Sequence, residues 1–418
     1  MSNAFLTQCA LELAENKPKI NEWLNEQEHP LELPLYLSVD IRVAPFKMAV
    51  VDTNLFPAGF NNICQLAIND IQSTLKNAIQ NRVDSCQNIL IIAESHTRNK
   101  WYLENIYVLQ EMIKTAGFHC LLSTLDNKEP LILESEKGHR LSFSPLEHVL
   151  NEPKTPIDLI ILNNDLSTGH PKILDQFDIP VYPPPIAGWH KRLKSSHFNI
   201  ANAIISSFAY QMGMDPWQFS CLYSNVLDVD INQKDDQQRL ADHAAMLFSQ
   251  IKQKYKEHNI NEKPFLFLKS NSGTYGMGVM PIEDPNDIIN LNRKARNKLQ
   301  KGKQSIPIHH FLLQEGVPSM SQINNGTSEV CIYKITNHFL GGFYRFHPNK
   351  SNRDNLNSKG MEFKKICNDT FNQCPQKEIC GIQPDPCLPL YRTLARIAGL
   401  ASAKEVIHYQ SPNKVLAS

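Results

Sequence analysis

No net charge marks this sequence: lysine plus arginine and aspartate plus glutamate each number 42. A balanced chain has no global field to draw it to nucleic acid or to an acidic membrane, so any charge selectivity must be local. Paired cysteines are missing too. Ten cysteines stand at 9, 64, 86, 120, 221, 331, 367, 374, 380 and 387 without one CxxC, and the last four lie six or seven residues apart. A metal knuckle needs ligands within about two to four residues, so those four read as loop cysteines. The start lacks the basic, apolar and small-residue order of a signal peptide. Nor is there a window of about 18 apolar residues for a membrane span. These absences predict free thiols in a reducing cytoplasm, with no membrane or nucleic-acid partner and with room for a homo-oligomer. No internal repeat is present. At 418 residues the chain suits two or three domains with a sizeable interior.

The first half alternates strands and helices. LPLYLSVDIR (33–42), NILIIAE (88–94), GFHCLLST (117–124) and PIDLIILNND (156–165) are short β-branched or leucine-rich runs, separated by helical patterns at 61–82 and 101–115. That alternation predicts parallel strands with crossover helices, and ligand sites at the carboxyl ends of the strands. Three polar clusters follow strands directly: DIRVAPFK, ESHTRN and NNDLSTG. VYPPPIAGWH (181–190) marks a boundary. Beyond it helices are predicted at about 197–212 and 237–256. Strands are predicted near CLYSNVLDV, PFLFLKS and IHHFLLQEG, while 349–387 reads as irregular.

Residues 269–280, KSNSGTYGMGVM, place a lysine at the end of an apolar run and then glycines at 273, 276 and 278. Such glycines let backbone N–H groups approach an anion without a Cβ in the way. In a Walker A loop the lysine would follow the glycines, and in the dinucleotide fingerprint the G-x-x-G-x-G spacing would be reversed and lead into a helix. A glycine-rich hairpin folding over phosphates fits better, with an ordinary tight turn as the plain alternative. Downstream come FLLQEGVP (311–318), SEVCIYKITNHFLGGFYRFHP (328–348) and RDNLNSKG (353–360). These are a strand ending in an acid, a hairpin with Glu329 and Arg345, and a polar turn.

This ordered series resembles the ATP-grasp superfamily of carboxylate–amine ligases over roughly residues 190–365. SVDIRVAPFKMAVVDTNLFPAGFNN (38–62), AESHTRNKWYLENI (93–106), GWHKRLKSSHF (188–198) and FLKSNSGTYGMGVM together resemble, more narrowly, the proteobacterial ATP-grasp-type glutamate–cysteine ligase family. The resemblance implies a fold of mixed α/β and α+β character. A Rossmann-like, pre-ATP-grasp domain would span residues 1–190 and an ATP-grasp module 191–418, with a lid at about 205–310. It also implies an activity: ATP- and Mg²⁺-dependent formation of γ-glutamylcysteine from glutamate and cysteine, through an acyl phosphate. Ligation of glutamate to another amine, or a nucleotide-binding regulator without turnover, are the alternatives.

Phosphoryl transfer needs cations around the γ-phosphate. Lys269, Arg345 and Arg353, with Asn355 beside them, are the candidates, and Lys194 of HKRLK stands where the superfamily has its earlier nucleotide-binding lysine. The hairpin residues Gly273, Thr274, Tyr275, Gly276 and Gly278, and the hinge residues Gln314, Glu315 and Val317, complete the expected ATP site. For Mg²⁺ the sequence departs from the family's E-x-N pair, which leaves Glu329, Asn357 and Glu362, with Asn355, as oxygen donors. The amino-acid substrates carry carboxylates and ammonium groups, which call for cations, acids and amides. Asp40, Arg42, Lys47, Asp52, Asn54, Asn61 and Asn62 form one such cluster, and Glu94, His96, Arg98 and Asn99 a second. A loop of asparagine caps and stacked aromatics is the structural alternative for the first.

Overall fold

The computed structural model describes residues 3–95, 98–151, 156–273, 278–300, 307–366 and 385–410. Helix α1 (Ala4–Glu28) leads into the hairpin β1 (Tyr36–Ala44) and β2 (Lys47–Asn54), then α2 (Gln65–Asp70) and α3 (Gln72–Gln80). Next come β3 (Asn88–Ala93), α4 (Lys100–Thr115), β4 (His119–Thr124), β5 (Leu131–Glu134), β6 (Arg140–Phe143), α5 (Leu146–Asn151), β7 (Leu159–Asn163) and β8 (Val181–Tyr182). A third stretch holds α6 (Lys194–Gln211), β9 (Tyr223–Val226), α7 (Lys234–Glu257), β10 (Leu266–Ser270), β11 (Met280–Ile282), α8 (Asn286–Ile289), α9 (Arg293–Gln300) and β12 (Phe311–Glu315). The described chain closes with β13 (Gln322–Ile323), β14 (Gly326–Ile335), β15 (His338–His347), β16 (Glu362–Lys365) and α10 (Leu388–Gln410).

These strands form three sheets of a mixed α/β structure. One runs β5-β6-β4-β3-β7-β8, and β4, β3, β7 and β8 are parallel as the alternation predicts. Its central strands NILIIA and LIILN are apolar on both faces and almost wholly buried, the pattern of a sheet covered on two sides. Helix α4 covers one face. Asn99 caps it by accepting from the Tyr102 N–H, and Leu103, Ile106, Leu109 and Ile113 recur at helical spacing toward the core.

The first predicted strand belongs elsewhere. β1 pairs antiparallel with β2 and with β14, in the sheet β16-β15-β14-β1-β2. The expected division at residue 190 is therefore crossed by a sheet with strands from both sides. The reason is legible in β1 itself, which alternates where β3 does not. Leu37, Val39, Ile41 and Val43 pack into a core shared with α1, α6 and α10, while Ser38, Asp40 and Arg42 point the other way into a cavity. Such alternation suits an antiparallel sheet with one polar face.

The third sheet, β11-β10-β12-β9, is antiparallel throughout. Leu266 and Leu268 of β10 and Leu313 of β12 pack with Leu240, Leu247 and Phe248 of α7. Period-two alternation then turns Phe267 and Lys269 to the opposite face. β10 and β11 flank the glycine-rich segment as the predicted hairpin, whose tip, residues 274–277, lies outside the described residues. Among the described residues no helix is long and apolar enough to cross a membrane.

Candidate active site

The polar faces of the two antiparallel sheets and the carboxyl end of the parallel one enclose a cavity of about 960 Å³. At one end two lysines meet. Lys269 Nζ donates to the Val51 carbonyl at 3.1 Å, and Lys194 Nζ to Asp52 Oδ1 at 2.6 Å. Their ammonium groups also lie over aromatic rings, Lys269 over Phe198 and Lys194 over Trp189. Burial lowers the Lys269 pKa to about 8; the Asp52 charge opposes this and Lys194 adds to it. For Asp52, burial favours the neutral acid, but Lys194 and then Lys269 outweigh it and hold the carboxyl below its usual range. Gly273, at the base of the hairpin, has φ +97°, a region glycine enters without a Cβ penalty.

The middle of the cavity is a ladder of alternating charge. Arg345 Nη1 donates to Glu329 Oε1 at 2.6 Å and to Asp40 Oδ2 at 3.0 Å, while Arg42 Nε donates to Glu329 Oε2 at 2.8 Å. Burial opposes ionisation of Glu329, yet Arg42 and Arg345 hold its carboxyl below the ordinary range. Asp40 goes the other way: burial raises it, aided by the Glu329 and Asp52 charges, against the pull of Arg345. Two buried donors in this region meet no acceptor among the described residues, Arg345 Nε and Gln314 Nε2, and both residues line the cavity. An unpaired buried donor is costly unless a ligand or water completes it.

Much of the remaining lining is amide or aromatic. Asn54, Asn61, Asn62 and Asn99 line the cavity with Trp101, Tyr102 and Asp165. Asn54 also shapes its own loop, accepting from the Phe56 N–H at 2.9 Å. Asp165 is held firmly: Oδ1 accepts from the Ser167 hydroxyl at 2.6 Å and N–H at 3.0 Å, and its own N–H donates to Glu94 Oε1. Asp165 was not singled out from the sequence, although its place directly after the apolar run of β7 is the signal that marks such sites. Phe267, Tyr333, Phe343, Met361 and Phe363 are further lining residues that sequence reasoning did not single out.

Of the residues singled out, Asp40, Arg42, Asp52, Asn54, Asn61, Asn62, Asn99, Lys194, Lys269, Gly273, Gln314, Glu329, Arg345, Asn355, Asn357 and Glu362 all line this one cavity. Others do not. Lys47 and Glu315 form a fully buried ion pair at 2.8 Å, and the Lys47 ammonium lies over the Trp217 ring. Glu315 also accepts from the Trp217 indole and the Leu222 N–H, so it faces the interior and not the expected ATP site. Val317 packs with Ala44, Ala49 and Cys221. Glu94 lies behind the wall as the partner of the Asp165 N–H, and Arg98 is exposed away from the cavity. Arg353 reaches the Lys263 carbonyl at 2.8 Å and lies near Glu283, beyond the lining. Gly278 sits beside Ile308 and Leu299. His96, Thr274, Tyr275 and Gly276 lie outside the described residues.

The residues expected to hold Mg²⁺ do not form a ready cage. Both oxygens of Glu329 accept from guanidinium groups, and Glu362 is exposed on β16. Among the described residues no three acids, histidines or cysteines converge as a metal site would require.

Comparison with known proteins adds what geometry does not carry. The model of the glutamate-cysteine ligase (GshA) family matches residues 11–406. A solved structure from Methylobacillus flagellatus KT, provisionally assigned as a gamma-glutamylcysteine synthetase, is 32% identical over 96% of each chain, with a TM-score of 0.85. A D-alanyl-alanine synthetase A from Vibrio cholerae is 12% identical, over 75% of this chain and 81% of that one, at a TM-score of 0.33. A glutathione synthetase-like effector from Globodera pallida is 10% identical, over 82% and 80%, at 0.36. Among curated proteins none matches the chain.

Proposed function

The chain belongs to the glutamate–cysteine ligase family and joins glutamate to cysteine, and from that premise we propose how its cavity divides the work. The lysine end takes the phosphates of ATP. Lys194, Lys269 and the backbone around Gly273 neutralise and orient them, with Gln314 and Phe267 beside the nucleotide. The amide and aromatic end takes the amino acids, with Asp165 facing an ammonium group. Between them the Asp40–Arg345–Glu329 ladder flanks the reacting atoms.

In this reading a γ-carboxylate oxygen of glutamate attacks the γ-phosphorus of ATP and the bond to ADP breaks. The cysteine nitrogen, having released its ammonium proton to solvent, attacks the acyl carbon and phosphate leaves. The second proton lost from nitrogen goes to the departing phosphate or to solvent. Arg345 stabilises the charge that gathers on the transferred group. Its Nε is a buried donor without an acceptor among the described residues. Mg²⁺ bound with the nucleotide would neutralise phosphate charge, and the described residues do not by themselves cage it. The ATP-grasp arrangement belongs to the same proposal, with the β9–β12 sheet and α7 serving as the lid.

One observation carries the reading most: two lysines from different elements converge on one strand, beside a glycine loop, in the same cavity as the amide-rich end. It is tested by supplying ATP, Mg²⁺ and glutamate with cysteine, 2-aminobutyrate or other amines in turn, and identifying products by mass spectrometry. A glutamate- and amine-dependent release of ADP with a γ-glutamyl product is expected. ADP release indifferent to glutamate would sink it.

A further inference from the structure

Helix α6 begins at Lys194 without a cap of its own, since Leu193 before it offers no side-chain acceptor. The first N–H groups of a helix need partners. Here they come from the lysine strand. The Asn271 carbonyl accepts from the Lys194 N–H at 2.7 Å, and Asn271 Oδ1 accepts from the Ser195 N–H at 2.8 Å. The same side chain donates through Nδ2 to Ser195 Oγ and to Asn225 Oδ1, both at 2.8 Å, and the Asn271 N–H donates to the His310 carbonyl at 2.9 Å. Asn271 is fully buried and does not line the cavity.

We infer that Asn271 is a positioning residue, a cap supplied across the fold that locks the helix bearing Lys194 to the strand bearing Lys269. The inference rests on the phosphate role proposed for those two lysines. Asn271 stands two residues after Lys269 and two before Gly273, so it fixes the chain between the lysine and the first glycine. Because the side chain caps Ser195, the residue next to Lys194, its loss leaves only the backbone bond to the Lys194 N–H, so the start of α6 loosens and the two cations lose their fixed spacing along the phosphate chain. Among the described residues the cap's hydrogen bonds go to Lys194, Ser195, Asn225 and His310.

The test is steady-state kinetics of Asn271→Ala, Lys194→Ala and the double variant, with thermal melts beside them. Asn271→Ala should raise KM for ATP by about tenfold, the scale of one or two lost capping bonds. KM for glutamate and cysteine should stay within about twofold, and Asn271→Ala should add less than about twofold to Lys194→Ala, since it acts through that lysine. Should Asn271→Ala not fold, Ser195→Ala removes only the hydroxyl acceptor and is read by the same selectivity for ATP. An equal rise in KM for all three substrates, or effects that multiply fully in the double variant, would overturn the inference while leaving the lysines in place. Lys194→Ala with wild-type KM for ATP would instead overturn the phosphate reading, and the inference with it.

Discussion

Lys194 and Lys269 deliver their ammonium groups to neighbouring residues of one strand, Lys194 to the Asp52 carboxylate and Lys269 to the Val51 carbonyl. Two cations are thus held close together at one end of the cavity. Asp52 offsets part of their repulsion, and a polyphosphate entering the cavity would offset the rest.

The pKa of Lys269, near 8, has a direct consequence. The protonated form is the one that attracts phosphate, and it is lost as pH rises through that value, so kcat/KM for ATP should fall on the alkaline side of about 8. Lys269→Arg, charged throughout, should abolish this limb, and Lys269→Ala should lower kcat/KM for ATP by about 10²-fold. A pH–rate profile of each variant checks this. An unchanged alkaline limb in Lys269→Arg would assign it to another group.

Arg42 divides its guanidinium among Glu329, the Asp354 carbonyl at 2.6 Å and the Val317 carbonyl at 3.5 Å. A single ammonium cannot span these acceptors, so Arg42→Lys should cost about 1 to 3 kcal/mol of stability by denaturant unfolding. ATP affinity should hardly move. A variant of wild-type stability with a raised KM for glutamate would make Arg42 a substrate clamp and not a brace.

Glu315 is expected to matter for folding and not for nucleotide binding. Replacing Lys47 by Met leaves its carboxylate buried without a counter-charge, at a cost of about 3 to 5 kcal/mol, and Lys47→Met with Glu315→Leu should recover much of that. Thermal melts of the single and double variants give the answer. Glu315→Gln should keep its KM for ATP, and a large rise would place this carboxylate on the nucleotide.

Asp165 supplies a fixed carboxylate at the amide-rich end. Asp165→Asn keeps the shape and removes the charge, so KM for one amino acid should rise by about 10- to 100-fold while KM for ATP stays put. Varying glutamate and cysteine separately shows which ammonium it faces. If both constants keep their wild-type values, the group serves only to order the loop through Ser167.

Much of this was legible locally, and what was not has identifiable causes. Helix α1 contains Pro18, which reads as a breaker, and its buried residues are sparse among charges. Helix α10 is buried on nearly every side, so it lacks the polar face that periodicity detects. Glu315 and Lys47 both looked like ligand residues because an isolated charge at a strand carries no sign of its partner.

The sequence by itself determined the alternation of β10, which sends Phe267 and Lys269 to one side and the leucines to the other. It also determined the apolar runs of the parallel sheet and the hairpin around the glycines, since each depends on neighbours a few residues apart. Only the tertiary structure decided that β1 leaves the parallel sheet for β14, that Lys194 and Lys269 end on Asp52 and Val51, and that Lys47 and Glu315 cancel one another. Those pairings join residues far apart in the chain, and they are set by which sheet faces bury together, a choice made by the whole core and not by any local pattern.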